Sequence, residues 1–116
     1  MFNKRYSYTK KIKDNKKGRR YLQVLNETLE LLEEELDNIR ANKPSEWDPR
    51  LLQNVVYPEM KKHQAYAEEG KVFLGTRIIC FRRLDSIYFM LDRLDNLSDT
   101  PLGRKLSEFD SLYCNF

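Results

Sequence analysis

His63 is the only histidine in the chain, and Glu59 stands four residues before it. On a helix that spacing puts carboxylate and imidazole one turn apart on the same face. Such a pair could exchange a proton with a substrate or hold a metal ion. Its neighbours argue for neither: Lys61, Lys62 and Gln64 surround it, so the pair is expected on a solvated polar face. A single histidine excludes any multi-histidine metal site. The Glu-x-x-His spacing of di-iron bundles, needed twice, is absent. Asp92, Asp95 and Asp99 recur every three to four residues. With Arg93 among them and no calcium-type loop, they are expected to form a solvated helix end.

Other catalytic patterns are missing. Gly70 and Gly75 are too far apart for a phosphate loop, and no Gly-Lys-Ser/Thr follows. There is no Gly-x-Ser-x-Gly, and neither cysteine has a base beside it in sequence. Cys80 and Cys114 have neither metal spacing nor a disulfide framework. Cys80 lies on an apolar seam and is expected to be a small buried hydrophobe. Nothing brings a nucleophile, a base and oxyanion donors together. The expectation is a protein without enzymatic activity or cofactor, in a reducing, cytoplasmic compartment.

Charge carries more information. The first 20 residues hold Lys4, Arg5, Lys10, Lys11, Lys13, Lys16, Lys17, Arg19 and Arg20 against one acid, Asp14. That segment is +8, and the rest of the chain is −5, although the total is only +3. A basic arm thus precedes an acidic body. Its cations alternate with Phe2, Tyr6 and Tyr8, a composition that suits phosphate contacts with base stacking. It also suits an anionic membrane surface, an acidic protein, a solvated terminus, or a strap lying on the chain's own acidic helix. A second basic group is Arg77, Arg82 and Arg83, which interrupt an otherwise apolar stretch. A seam arginine must snorkel or find an acid. A register-fixing ion pair with Glu33, Glu34 or Glu35 is expected, and an anionic ligand is the alternative.

These residues need elements to position them. Leu22, Leu25, Leu29, Leu32, Leu36 and Ile39 alternate at three and four residues, which predicts a helix with a coiled-coil-like seam from about 19 to 41. Glu27, Glu30, Glu33, Glu34, Glu35 and Asp37 cover its outside. Val24 and Leu31 lie off that seam, one heptad apart, and are expected to touch either a further helix or a second copy of the protein, which makes them the candidates for self-association. A loop with two prolines follows, in which Trp47 is expected to plug the end of a bundle. Asp48 and Pro49 then read as cap and first turn of a helix over about 49–69. Pro58 should kink it or break it near Tyr57, and Gly70 should end it.

Fifteen of the 26 residues from Val72 to Leu97 are apolar, and Cys80, Leu84, Ile87, Leu91 and Leu94 keep helical spacing. A long buried helix over about 71–97 is predicted. Arg77, Arg82, Arg83 and Asp85 in its middle argue against a membrane span, at about 3 kcal/mol each. A short strand within Val72–Phe81 is the alternative there, as is β-like structure over Arg5–Ile12. Ser98, Asp99 and Thr100 followed by Pro101 read as a cap and first turn of a short helix over about 101–113, with Leu102, Leu106, Phe109, Tyr113 and Phe116 on one face.

The 116 residues, with 41% apolar and 34% charged side chains, suffice for one domain. The fold class expected is all-α: an antiparallel bundle of three long helices and one short one over 19–116, preceded by a flexible basic arm over 1–18. No signal peptide is expected, because no apolar run follows Lys13. The expected function is a small protein–protein interaction module, with a homodimer through helix faces as one version. The alternative is a nucleic-acid-binding protein that uses the basic arm. A membrane-surface partner is disfavoured.

Overall fold

The computed structural model describes residues 9–45, 47–73 and 100–116. Helix dominates them, and a two-stranded hairpin joins distant parts of the chain. The elements are β1 (Thr9–Lys11), α1 (Lys16–Arg40), α2 (Pro49–Leu51), a π-helical stretch (Leu52–Val56), α3 (Tyr57–Glu68), β2 (Lys71–Phe73) and α4 (Pro101–Cys114).

Helix α1 begins three residues earlier than its apolar seam suggests. Asn15 is the reason. Its backbone is extended, and its Oδ1 accepts a hydrogen bond from Gly18 N at 2.8 Å, satisfying a donor that the first turn leaves open. Gly18 is buried beneath the turn that leads into this cap. A Cβ there would lie 1.9 Å from the Lys13 carbonyl oxygen. Alanine favours a helix over glycine by about 1 kcal/mol. Here the clash outweighs that gain, because backbone must move and the Asn15 cap moves with it. Gly18→Ala is expected to lower the unfolding free energy by about 2 kcal/mol in a urea titration.

The inner face of α1 is wider than the predicted seam. Leu25, Leu29, Leu32 and Leu36 are buried as expected, but Tyr21, Val24 and Thr28 are buried with them, whereas Leu22 and Ile39 are only half-buried. Thr28 meets the cost of burial by donating from its hydroxyl to the Val24 carbonyl at 2.6 Å. The wider face exists because α1 packs against both α3 and α4. Leu102, Leu106, Phe109 and Tyr113 complete the core from α4, and Leu52, Val56 and Met60 from the segment before and into α3. Each such side chain contributes about 1.5–3 kcal/mol when taken fully out of water. Trp47 is buried as well, in the loop before α2.

Both predicted caps form. Asp48 Oδ1 accepts from Arg50 N at 2.9 Å, and Thr100 Oγ1 accepts from Gly103 N at 3.1 Å. Of the two outcomes expected of Pro58, the break near Tyr57 does not occur. The chain stays in right-handed helical conformation through Leu51, Leu52, Val56 and Tyr57. Instead of breaking, the helix widens: Tyr57 N donates to Leu52 O, five residues back. A π-turn absorbs the missing donor and the ring clash by inserting one residue into the helical register.

The boundaries predicted for the third long helix need correction. Gly70 has φ 75°, and the chain that follows it is strand, not helix. Lys71–Phe73 pairs antiparallel with Thr9–Lys11, in the register Thr9–Phe73, Lys10–Val72 and Lys11–Lys71. Ile12 N extends the pairing by donating to Gly70 O at 2.8 Å. The β-branched and aromatic pair Val72–Phe73 suits this role. Residues 74–97 of that predicted helix lie outside the described residues. The second half of the basic segment is therefore paired strand, turn and helix start. Tyr113 Oη donates to Phe73 O at 3.0 Å and ties the hairpin to α4. No helix among the described residues is long and apolar enough to cross a membrane.

Candidate functional site

Glu59 and His63 are not on a solvated face. The expectation is corrected by their burial: His63 is 2% exposed and Glu59 5%. Both continue the face of Leu52, Val56 and Met60 and turn inward, His63 against α4. The His63 ring lies 5.2 Å from the Phe109 ring and 4.8 Å from the Tyr113 ring, measured between centroids. Neither ring nitrogen has a hydrogen-bond partner among the described residues. Burial pushes the imidazole pKa down from 6.5 to about 4. Glu59 opposes that shift and Lys62 adds to it. The imidazole is thus neutral near pH 7. A general base must reach its proton, and the clefts described below are lined by other side chains. The arrangement makes His63 a core residue with a latent charge. Tyr21, whose ring is 5.5 Å from that of Phe109, is a second buried group with an unsatisfied hydroxyl among the described residues. Burial first, and then Tyr113, raises its pKa well above the usual phenol range.

The basic residues gather at one end of the molecule. Lys10, Lys11, Lys13 and Lys17 line a cleft of about 370 Å3 together with Asn15, Gly18 and Phe116. Lys16, Lys17, Arg19 and Arg20 line a second, more open cleft with Gln23 and Leu112. Lys17 belongs to both, so the two form one continuous basic surface. This surface lies at the N-terminal, electropositive end of α1, whose first turn holds no acid. Cations placed there oppose the helix dipole, and the end is strongly positive as a result.

Some of these cations have internal partners, though not those expected of a strap on the acidic face of α1. The Lys10 ammonium donates to Phe116 O at 2.5 Å, and the Lys17 ammonium donates to Asn115 O. Both carbonyls belong to the C-terminal, electronegative end of α4, which attracts cations. Arg20 pairs with Glu108, and Arg19 with Asp14 at 2.9 Å. The acidic side of α1 is met from α4 instead: Lys105 binds Glu27 at 2.6 Å and Glu108 at 3.2 Å. The hydrogen bond from Lys105 holds the Glu27 carboxyl below its ordinary pKa. Lys11, Lys13 and Lys16 are exposed, and their ammonium groups make no ion pair among the described residues.

The self-association candidates separate. Val24 is fully buried within the chain, so of its two expected contacts it makes the one with its own core, and it is removed from the self-association candidates. Leu31 is half-buried on the rim of a cleft of about 300 Å3, shared with Glu34, Glu35, Pro44, Trp47 and Leu102. Lys4 and Arg5 lie outside the described residues, as do Arg77, Arg82 and Arg83. Among the described residues no three His, Cys, Asp or Glu side chains converge as metal ligands would. Phe116, Asn15 and Gly18 are parts of the basic cleft that the sequence pattern does not announce. Only Asn15 carries a local signal, as a capping residue ahead of an apolar seam.

No protein-family model, curated protein or solved structure matches this chain.

Proposed function

We propose that this chain is a non-enzymatic binding module whose basic end receives a nucleic-acid backbone. The observation that carries the reading is the continuous surface from Lys10 to Arg20, with Lys11, Lys13 and Lys16 lacking an internal counter-ion among the described residues. Backbone phosphates would supply those counter-ions and release condensed cations as they bind. The positive pole of α1 adds to the same field.

A self-associating protein module is less well supported. With Val24 inside the core, Leu31 is the remaining candidate among the described residues. A stable interface buries about 800 Å2 on each partner, far more than one half-buried leucine offers.

The test is fluorescence anisotropy with a labelled 20-mer oligonucleotide and the full chain. Binding is expected in 50 mM salt. About five phosphate contacts imply that raising salt to 200 mM weakens it about a hundredfold. Absence of binding to RNA and DNA in 50 mM salt would sink the reading.

A further inference from the structure

The geometry points to a single-stranded ligand, with one base seated on Phe116 inside the smaller basic cleft. This rests on the nucleic-acid reading above and narrows it to one class of strand.

Phe116 is half-buried and packed against the core cluster. The Tyr21 ring meets it in an edge contact, with centroids 4.7 Å apart and planes at 73°. That contact fixes the ring in place. The Lys17 ammonium lies 5.2 Å from its centroid, over the ring. The ring face is therefore turned to the basic cleft and is already occupied by a cation. An aromatic face among lysines is the arrangement that single-strand binders use: the face stacks a base, and the cations follow the backbone.

The cleft's size agrees with this. At about 370 Å3 it is at the small end of ligand sites and suits one unstacked base. A duplex keeps its base faces stacked on each other and cannot present one to Phe116. On binding, the base takes the place of the Lys17 ammonium over the ring. Lys17 and its neighbours Lys11 and Lys13 then hold the flanking phosphates. The interaction is non-covalent throughout: the base replaces the Lys17 cation–π contact, and the phosphates replace the Asn115 carbonyl and water around the lysines.

The experiment compares a labelled oligothymidine 12-mer with a 12-base-pair duplex, in 100 mM salt, by anisotropy. The single strand is expected to bind at least tenfold tighter. Phe116→Ala should weaken the single strand about tenfold and leave the duplex unchanged, because only the single strand stacks a base on that ring. Since Phe116 also packs on Tyr21, Phe116→Trp is the companion variant. It keeps the packing and a stacking face, so single-strand affinity should be retained and the new indole's fluorescence quenched by the bound base. Equal affinity for both forms, or loss in Phe116→Ala matched on the duplex, overturns the single-strand assignment while leaving the basic surface as a nucleic-acid site. Binding to neither form overturns both.

Discussion

Moving the protein from pH 7 to pH 5 is expected to remove about 2 kcal/mol of stability through His63 alone. In the folded state its pKa is about 4, against 6.5 for the exposed group. Between those values the unfolded chain binds a proton that the folded chain refuses. Stability is therefore fully present above pH 6.5 and is lost as pH falls toward 4. The total loss approaches about 3 kcal/mol, since each pH unit between the two values contributes about 1.4 kcal/mol. The cause is geometric. The imidazole is enclosed by Phe109 and Tyr113 of α4, with Glu59 and Lys62 as the nearby charges on its own helix. Glu59 would relieve part of a charge placed there, and burial outweighs it. Carboxylates elsewhere also titrate in this range, so the comparison is with His63→Leu. Urea unfolding at pH 7 and pH 5 should show the wild type losing about 2 kcal/mol more than the variant. Equal losses in the two proteins would contradict the burial of a neutral imidazole.

The largest expected effect on binding comes from Lys11→Gln, Lys13→Gln and Lys16→Gln made together. All three side chains are exposed, and none makes an ion pair among the described residues. Their removal should not lower the urea midpoint, because no stabilising contact is lost and cations opposing the α1 dipole are removed. In 0.1 M salt the affinity for a single strand should fall about a hundredfold, the result of losing three phosphate contacts. Arg19→Gln and Arg20→Gln should have smaller effects, since Asp14 and Glu108 already neutralise those guanidiniums.

Much of the helical framework is legible in the sequence because it is written locally. Leu25, Leu29, Leu32 and Leu36 lie at helical spacing, and Asp48–Pro49 and Thr100–Pro101 are start signals whose capping bonds form. Pro58 hides the burial of His63. A break near Tyr57 would reset the helical register and separate Glu59 and His63 from Leu52 and Val56. The π-turn keeps the helix running, and Leu52, Val56, Met60 and His63 then fall on one face. The hairpin has no local pattern that fixes it. Its strands overlap the two stretches that suit a strand as an alternative, Arg5–Ile12 and Val72–Phe81, but they have three residues each, and their pairing of Thr9 with Phe73 is specified only by tertiary contact. The basic cleft combines both kinds of information. Its charge is plain in the composition, but its floor is Phe116, about a hundred residues from the lysines that surround it. The pairing of Lys10 with Val72 also makes deletion of residues 1–18 a poor test, because it would remove a strand and the cap of α1 along with the charges.

Direct contact between phosphate and the lysines before and at the start of α1 is the central claim. It is tested most directly by the slope of log K against log salt for single-strand binding, measured for the wild type and for the triple Lys11, Lys13, Lys16 to Gln variant. Each phosphate contact contributes about 0.7 to that slope on a single strand. The triple variant should therefore have a slope shallower by about 2 units. Identical slopes for the two proteins would place the binding charges elsewhere in the chain and contradict the account.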